Sequence, residues 1–234
     1  MSSMKSRPPY RADHVGSLLR PRSLLDAREA WKAGRLEQGR LTQLENQAIR
    51  DVVALQEEIG LQAVTDGEFR RTLWHADFLT SFDNVIRTRS SVKQHFHTQE
   101  GDIERELTAF KVVGKLARSR PIFVEHFAFV KSIARATAKQ TIPSPSILHF
   151  RGGRDAVDEK AYPDMAEFYD DLARVYREEI EDLGAAGCRY LQIDEVNFAY
   201  LCDPELRSQV RAIGENPNDL PHVYAKLLNS AIAT

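Results

Sequence analysis

The sequence predicts an α/β fold with a parallel sheet. Strand-like apolar runs at Ala63-Val64 and at Tyr190 to Ile193 each follow an amphipathic helical stretch and a glycine, the order expected of βα units. Both runs lead into acids, Asp66 and Glu68 after the first and Asp194 and Glu195 after the second. In α/β barrels the carboxyl ends of strands carry the chemistry. A chain of 234 residues is long enough to bury one sizeable core, in one or two domains.

In chain order, residues 1–12 read as a flexible N-terminal arm, and Asp13 to Pro21 as a short strand running into a loop closed by proline. A helix is expected from Leu24 to Ala33. The next helix carries capping-box spacing at Thr42 and Glu45. Its Leu41, Leu44, Ala48, Val52, Leu55 and Ile59 recur at helical steps up to Gly60. Residues 84–120 break the alternation. Val92 to Phe96 and Leu107 to Val113 suit a hairpin turning at Gln99-Glu100-Gly101-Asp102, an insertion in a main body spanning 13–234. A helix is expected from Val124 to Ala138. In the following Thr141 to Phe150, Pro143 and Pro145 predict an irregular edge or mouth rather than a central strand. The longest helix starts near Pro163, with Ala166, Tyr169, Ala173, Tyr176, Ile180 and Leu183 as its apolar stripe. Asp203-Pro204 reads as N-cap and first helical residue, and a last helix covers Leu220 to Ala233 with Tyr224, Leu227 and Ala231 on one face.

A formal charge of −2 gives no electrostatic case for nucleic acid or an anionic membrane. No run approaches the roughly 18 apolar residues of a membrane span, and the first residues lack the apolar core of a secretory signal. The two cysteines, Cys188 and Cys202, cannot build a disulfide framework, so the cytoplasm is the expected compartment. An assembly of identical copies is compatible with all of this.

The candidate site residues each carry two readings. Asp194 and Glu195 are adjacent and point to opposite faces of a strand: one faces the barrel mouth, the other caps a helix or pairs with an arginine. Glu68 either joins Arg70 and Arg71 in a surface ion network or holds a substrate ammonium group. In His14-Val15-Gly16-Ser17, Gly16 permits close approach of a ligand to the backbone, and the Ser17 amide and hydroxyl suit a carboxylate; an ordinary tight turn is the plainer reading. His95 and His97 read as solvated hairpin residues, and no set of metal ligands is assigned in this chain. Trp31, Trp74 and Phe150 read first as core, although Trp74 and Phe150 lie near the expected mouth.

Taken in order, His14-Val15-Gly16-Ser17, Thr65-Asp66-Gly67-Glu68-Phe69-Arg70-Arg71, Leu191-Gln192-Ile193-Asp194-Glu195 and Phe198 to Pro204 resemble the catalytic domain of cobalamin-independent methionine synthase. They are more similar still to the short bacterial homologues of 5-methyltetrahydropteroyltriglutamate–homocysteine methyltransferase. The resemblance implies a (β/α)8 TIM barrel with homocysteine and folate meeting at its C-terminal face. Such a barrel typically takes about 250 residues, so it also implies that 13–234 is the N-terminal part of a C-terminally incomplete barrel.

The implied activity is an S-methyltransferase that moves a methyl group from 5-methyltetrahydrofolate, or a related donor, to the thiol of homocysteine. Zinc is expected in the complete enzyme and cobalamin is not. The family's zinc ligands (a His-x-Cys pair, a Glu and a distant Cys) and its proton-donating His are expected beyond residue 234. Carried over position by position, Val15, Gly16 and Ser17 hold the amino-acid carboxylate, while Glu68 and Asp194 grip the amine. Phe150 falls roughly where the family places a folate-stacking tryptophan. Val196 replaces the proline after Asp-Glu, and Tyr200 stands in place of a folate-contacting acid. The donor side therefore stays open between folate and a non-folate alkyl donor. A decarboxylase-type barrel and a non-catalytic binding or assembly protein are the other readings.

Overall fold

The structure, a computed structural model, describes residues 12–98 and 101–233, without the side chains of 89–98 and 102–107. The expected arm (apart from residue 12), the two central turn residues of the hairpin, and the side chains of His95 and His97 lie outside the described residues.

In order, the elements are α1 (Arg22–Lys32), α2 (Gln38–Glu58), β1 (Ala63–Val64), α3 (Ala76–Leu79), β2 (Asp83–Thr98), β3 (Gly101–Ala117), α4 (Val124–Ile133), β4 (Thr137–Pro143), α5 (Ile147–Phe150), a 3-10 turn (Gly153–Ala156), α6 (Met165–Ala185), β5 (Tyr190–Asp194), α7 (Asn197–Tyr200), α8 (Pro204–Ala212) and α9 (Leu220–Ile232). β1, β4 and β5 share one sheet in that order. β1 runs parallel to β4 through Ala63↔Thr137 and Val64↔Ala138. The α/β class is therefore as expected. Among the described residues this sheet has three strands, and they close no barrel.

The chain divides into two compact units. Among the described residues, the first is formed by 12–74, Phe123–Thr141 and Leu183–Gln192, the second by 75–98, 101–122, Ile142–Asp182 and 193–233. In the first, Leu24, Leu41, Ile49, Val53, Val64 and Phe69 bury α1 and α2 against β1. Phe127, Leu183 and Cys188 pack beside Ala138 and Leu191. In the second, Phe150, Leu201, Val210, Leu220 and Tyr224 form one cluster. Phe78, Phe82 and Tyr176 meet there with ring centroids 5.3 to 5.5 Å apart.

Several elements differ from expectation. Asp13 to Pro21 forms no strand; its carbonyls are taken by side chains, as described below. α2 starts at Gln38, so Thr42 lies inside the helix and its hydroxyl donates to Gln38 O at 3.0 Å. Glu45 is no capping partner: it is buried against Arg28 at 2.8 Å and Arg70 at 3.6 Å. Burial pushes its carboxyl above the ordinary value, against the opposing pull of Arg28 and Arg70.

α4 stops at Ile133 because the Glu57 carboxylate takes the next N–H groups, those of Arg135 at 2.5 Å and Ala136 at 2.9 Å, and Thr137 then opens β4. β4 is the central strand and not an irregular edge. Pro143 is its last residue, where a missing N–H interrupts no ladder; the irregular stretch begins only at Ser144. The hairpin is longer than its apolar runs, pairing from Asp83↔Ala117 to Thr98↔Gly101 with register shifts at Asp83/Val85 and Arg89/Lys93. The buried face of α6 is turned toward Phe168, Leu172, Val175 and Tyr176, which leaves Ala166 exposed. Trp31 is 39% exposed rather than core. Asp203 caps α8 as expected, accepting the N–H groups of Glu205 at 2.8 Å and Leu206 at 3.0 Å.

Candidate functional site

In the first unit the site is built on the turn after β1. Gly67 and Glu68 both adopt left-handed backbone, with φ of 63° and 59°. Gly67 has no alternative residue, since a Cβ there would sit 2.8 Å from the Phe69 ring and 3.2 Å from Leu18 Cβ. Glu68 is not glycine, so its conformation costs about 1–2 kcal/mol. Strain of this kind persists where the surroundings over-determine it, and it clusters at functional sites.

The surroundings do over-determine it. Asp66 Oδ1 accepts the Glu68 N–H at 2.8 Å. Arg20 donates to the carbonyls of Glu68 at 2.6 Å and Arg71 at 2.7 Å. The Arg71 guanidinium, 1% exposed, reaches Glu68 Oε1 at 3.2 Å, Thr141 O at 2.6 Å and Thr141 Oγ1 at 2.9 Å, and lies 4.4 Å over the Phe123 ring. Thr141 Oγ1 in turn donates to Glu68 Oε1 at 3.1 Å. This is a buried network, not the surface ion pair weighed from sequence. Among the described residues both contacts to the Glu68 carboxylate fall on Oε1, which leaves Oε2 open as an acceptor.

Gly16 comes to the same place. A Cβ on it would lie 2.8 Å from Thr141 Cγ2 and 3.3 Å from Glu68 Oε1, and Thr65 Oγ1 donates to Gly16 O at 3.0 Å. Gly16 and Glu68 are thus brought together through Thr141, with Ser17 and Val15 exposed on either side of Gly16. Trp74, half-buried, offers its carbonyl to Arg71 at 3.1 Å.

The second unit holds the other acids. Asp194 closes β5, and its carbonyl accepts the Ser144 N–H at 3.0 Å. Glu195 caps the start of α7, as one of the two adjacent acids was expected to do. Oε1 accepts the Asn197 N–H at 2.5 Å, and Oε2 accepts the Ser146 hydroxyl at 2.5 Å together with the Ser144 hydroxyl. Asn197 Nδ2 donates to Ser146 Oγ at 2.6 Å. Ser144 and Ser146 are fully buried, at 0% exposure.

Phe150 is buried in the core cluster, 5.8 Å from the Tyr200 ring at 35° and 6.5 Å from Tyr224. Its placement follows the plainer, core reading. Tyr200 is half-buried and hydrogen-bonds Arg151, whose guanidinium burial holds below its ordinary value. His149 joins Tyr224 Oη at 2.9 Å to Glu215 at 3.3 Å.

Thr141, Ser144, Ser146 and Lys139 were missed in the sequence. The available signal was a polar run, Lys139 to Thr141, inside an otherwise buried strand, followed by serines alternating with prolines. Among the described residues no group of three or more His, Cys, Asp or Glu side chains could hold a metal ion, and no helix is long and apolar enough to cross a membrane.

The family model described as the catalytic domain of cobalamin-independent synthase matches residues 12–210. Two Bacillus subtilis proteins, YxjH and YxjG, both uncharacterized, are 40% identical over 228 residues and 38% identical over 233. The chain spans 59% and 60% of their lengths while 97% and 99% of the chain is matched. A Campylobacter jejuni 5-methyltetrahydropteroyltriglutamate–homocysteine methyltransferase is 26% identical over 186 residues, covering 77% of the chain and 22% of the enzyme. A Listeria monocytogenes crystal structure, provisionally assigned as a vitamin-B12-independent methionine synthase, superposes with a TM-score of 0.76 at 36% identity, covering 96% of this chain and 61% of that one. A Shewanella B12-independent methionine synthase, solved with selenomethionine, shares the fold at a TM-score of 0.59 and 21% identity, over 85% of this chain and 50% of that one.

Proposed function

The chain belongs to the family of cobalamin-independent synthase catalytic domains, and we propose that it carries the acceptor-binding part of a methyltransferase that methylates the thiol of homocysteine. In this reading the methyl donor is 5-methyltetrahydrofolate or a related compound, and the product is methionine. Gly16 and Ser17, with Val15 beside them, receive the amino-acid carboxylate. Glu68 receives the ammonium group. Phe150 and Tyr200, which pack on one another, belong to the donor side. Two free cysteines suit a reducing cytoplasm.

The observation that carries this reading is Glu68. It is 3% exposed and held in a left-handed conformation, with one carboxylate oxygen engaged by Arg71 and Thr141. An ammonium taken out of water needs charged acceptors in fixed positions. Glu68 has that character: Oε1, beside the close-packed Gly16, is fixed by Arg71 and Thr141, and Oε2 remains to accept. Held by amine and carboxylate at once, the amino acid presents its thiol in one orientation, which removes rotational freedom before reaction. The described residues do not fit the zinc site the family implies; the residues named here bind and orient the acceptor.

Calorimetric titration of the chain with L-homocysteine under reducing conditions tests the reading. Glu68→Gln should weaken binding by about 2–5 kcal/mol, the loss seen when a buried charge pair is broken. 4-Mercaptobutyrate, which lacks the amine, should bind wild type and Glu68→Gln alike. Wild-type affinity for homocysteine in Glu68→Gln would refute the assignment.

A further inference from the structure

The loop that carries Gly16 and Ser17 has no strand partner among the described residues, yet it is tied down at successive carbonyls by side chains from the sheet and its flank. Lys139 Nζ donates to His14 O at 2.6 Å, Gln192 Nε2 to Val15 O at 2.7 Å, and Thr65 Oγ1 to Gly16 O at 3.0 Å. Lys139 stands on the central strand β4 with its side chain 0% exposed. Its ammonium meets Asp13 Oδ2 at 2.8 Å and lies 4.9 Å over the Tyr190 ring, while Tyr190 Oη donates to the same Asp13 oxygen at 2.6 Å. A lysine buried in a strand is expensive unless paired, and an apolar residue of similar size packs there with no such penalty. What the charge adds is direction: it fixes where Asp13 and His14 sit, and through them the start of the loop. At the other end Leu18 N–H donates to Gly67 O at 3.1 Å. Between these ties Val15 is 71% exposed, and Ser17 is exposed as well.

We propose that Lys139, Asp13, Tyr190 and Gln192 form a positioning set for this loop, holding Gly16 and Ser17 where a ligand carboxylate meets them. None of the four touches the ligand. The identity of that ligand as an amino acid rests on the acceptor reading above, whereas the latch on the loop is independent of it.

The test uses the 234-residue chain and two variants. Asp13→Asn removes the counter-charge from Lys139, and Tyr190→Phe keeps the ring under the ammonium while deleting one bond to Asp13. Hydrogen exchange should show the Leu18 amide opening about tenfold faster in Asp13→Asn and by a smaller factor in Tyr190→Phe, with the Ala138 amide of the central strand unchanged. Binding of L-homocysteine should weaken about tenfold in Asp13→Asn, while 3-aminopropanethiol, which lacks the carboxylate, should bind as before. Unchanged Leu18 exchange in Asp13→Asn overturns the latch. A loosened loop with unchanged homocysteine affinity overturns its positioning role. If the wild type binds no homocysteine, the acceptor reading fails and Leu18 exchange alone decides the latch.

Discussion

Replacing Glu195 with Gln tests how the segment after the central strand is held. The carboxylate accepts three donors: the Asn197 N–H and the hydroxyls of Ser144 and Ser146. Glutamine keeps one acceptor oxygen and turns the other into a donor. Bonds to a charged acceptor are worth about 1.5–3 kcal/mol and neutral ones about 0.5–1.5, so three bonds lose about 3–4 kcal/mol in all. Part of this returns if a serine hydroxyl rotates to accept from the new amide, which sets the expected loss at about 2–3 kcal/mol. For a chain of this length that is a fall in Tm of about 5–10 °C. Urea unfolding and a thermal scan, both followed by circular dichroism, read the two numbers. Ser146→Ala should cost less in the Glu195→Gln background than in wild type, with a coupling of at least about 1 kcal/mol. Stability within about 0.5 kcal/mol of wild type, or strict additivity with Ser146→Ala, would show that the three donors do not depend on the carboxylate.

Burial, reinforced by Arg151 and Arg87, lowers the His75 imidazole from 6.5 to about 4. Its folded value lies below its unfolded one, so its contribution is complete above pH 6.5 and disappears as pH falls toward about 4, a change of about 3 kcal/mol. His75→Phe should flatten the stability profile over that interval in urea titrations at stepped pH, and an unchanged slope would contradict it. Gly67→Ala should cost about 2–4 kcal/mol, because it adds a Cβ at positive φ against the Phe69 ring. A variant as stable as wild type in urea would mean that this turn relaxes freely.

The sequence was most legible where chemistry and periodicity coincide. Asp203-Pro204 announced α8, and the apolar runs before Glu68 and Asp194 announced β1 and β5. Thr42 and Glu45 misled because capping-box spacing also occurs inside a helix, where the threonine bonds back to its own turn. Pro143 misled because proline excludes a residue from the middle of a ladder but not from its last position. The network around Glu68 was out of reach for another reason. Thr141 arrives from a strand remote in sequence, and no local pattern encodes such a pairing.

The path from β1 to β4 has a consequence for how the chain folds. Roughly 70 residues separate two strands that must lie side by side, and the ribbon of β2 and β3 occupies about half of them. β2 pairs with its immediate successor β3, so the ribbon can zip within microseconds, long before β1 meets β4. Once zipped, it joins Asp83 to Ala117 and shortens the chain left to close. Because closure entropy grows only with the logarithm of length, the saving is about half a kcal/mol. The ribbon is therefore nearly neutral to the assembly of the sheet. A lineage could lengthen, trim or redecorate it with little penalty at the strand pairing that carries Glu68 and Thr141.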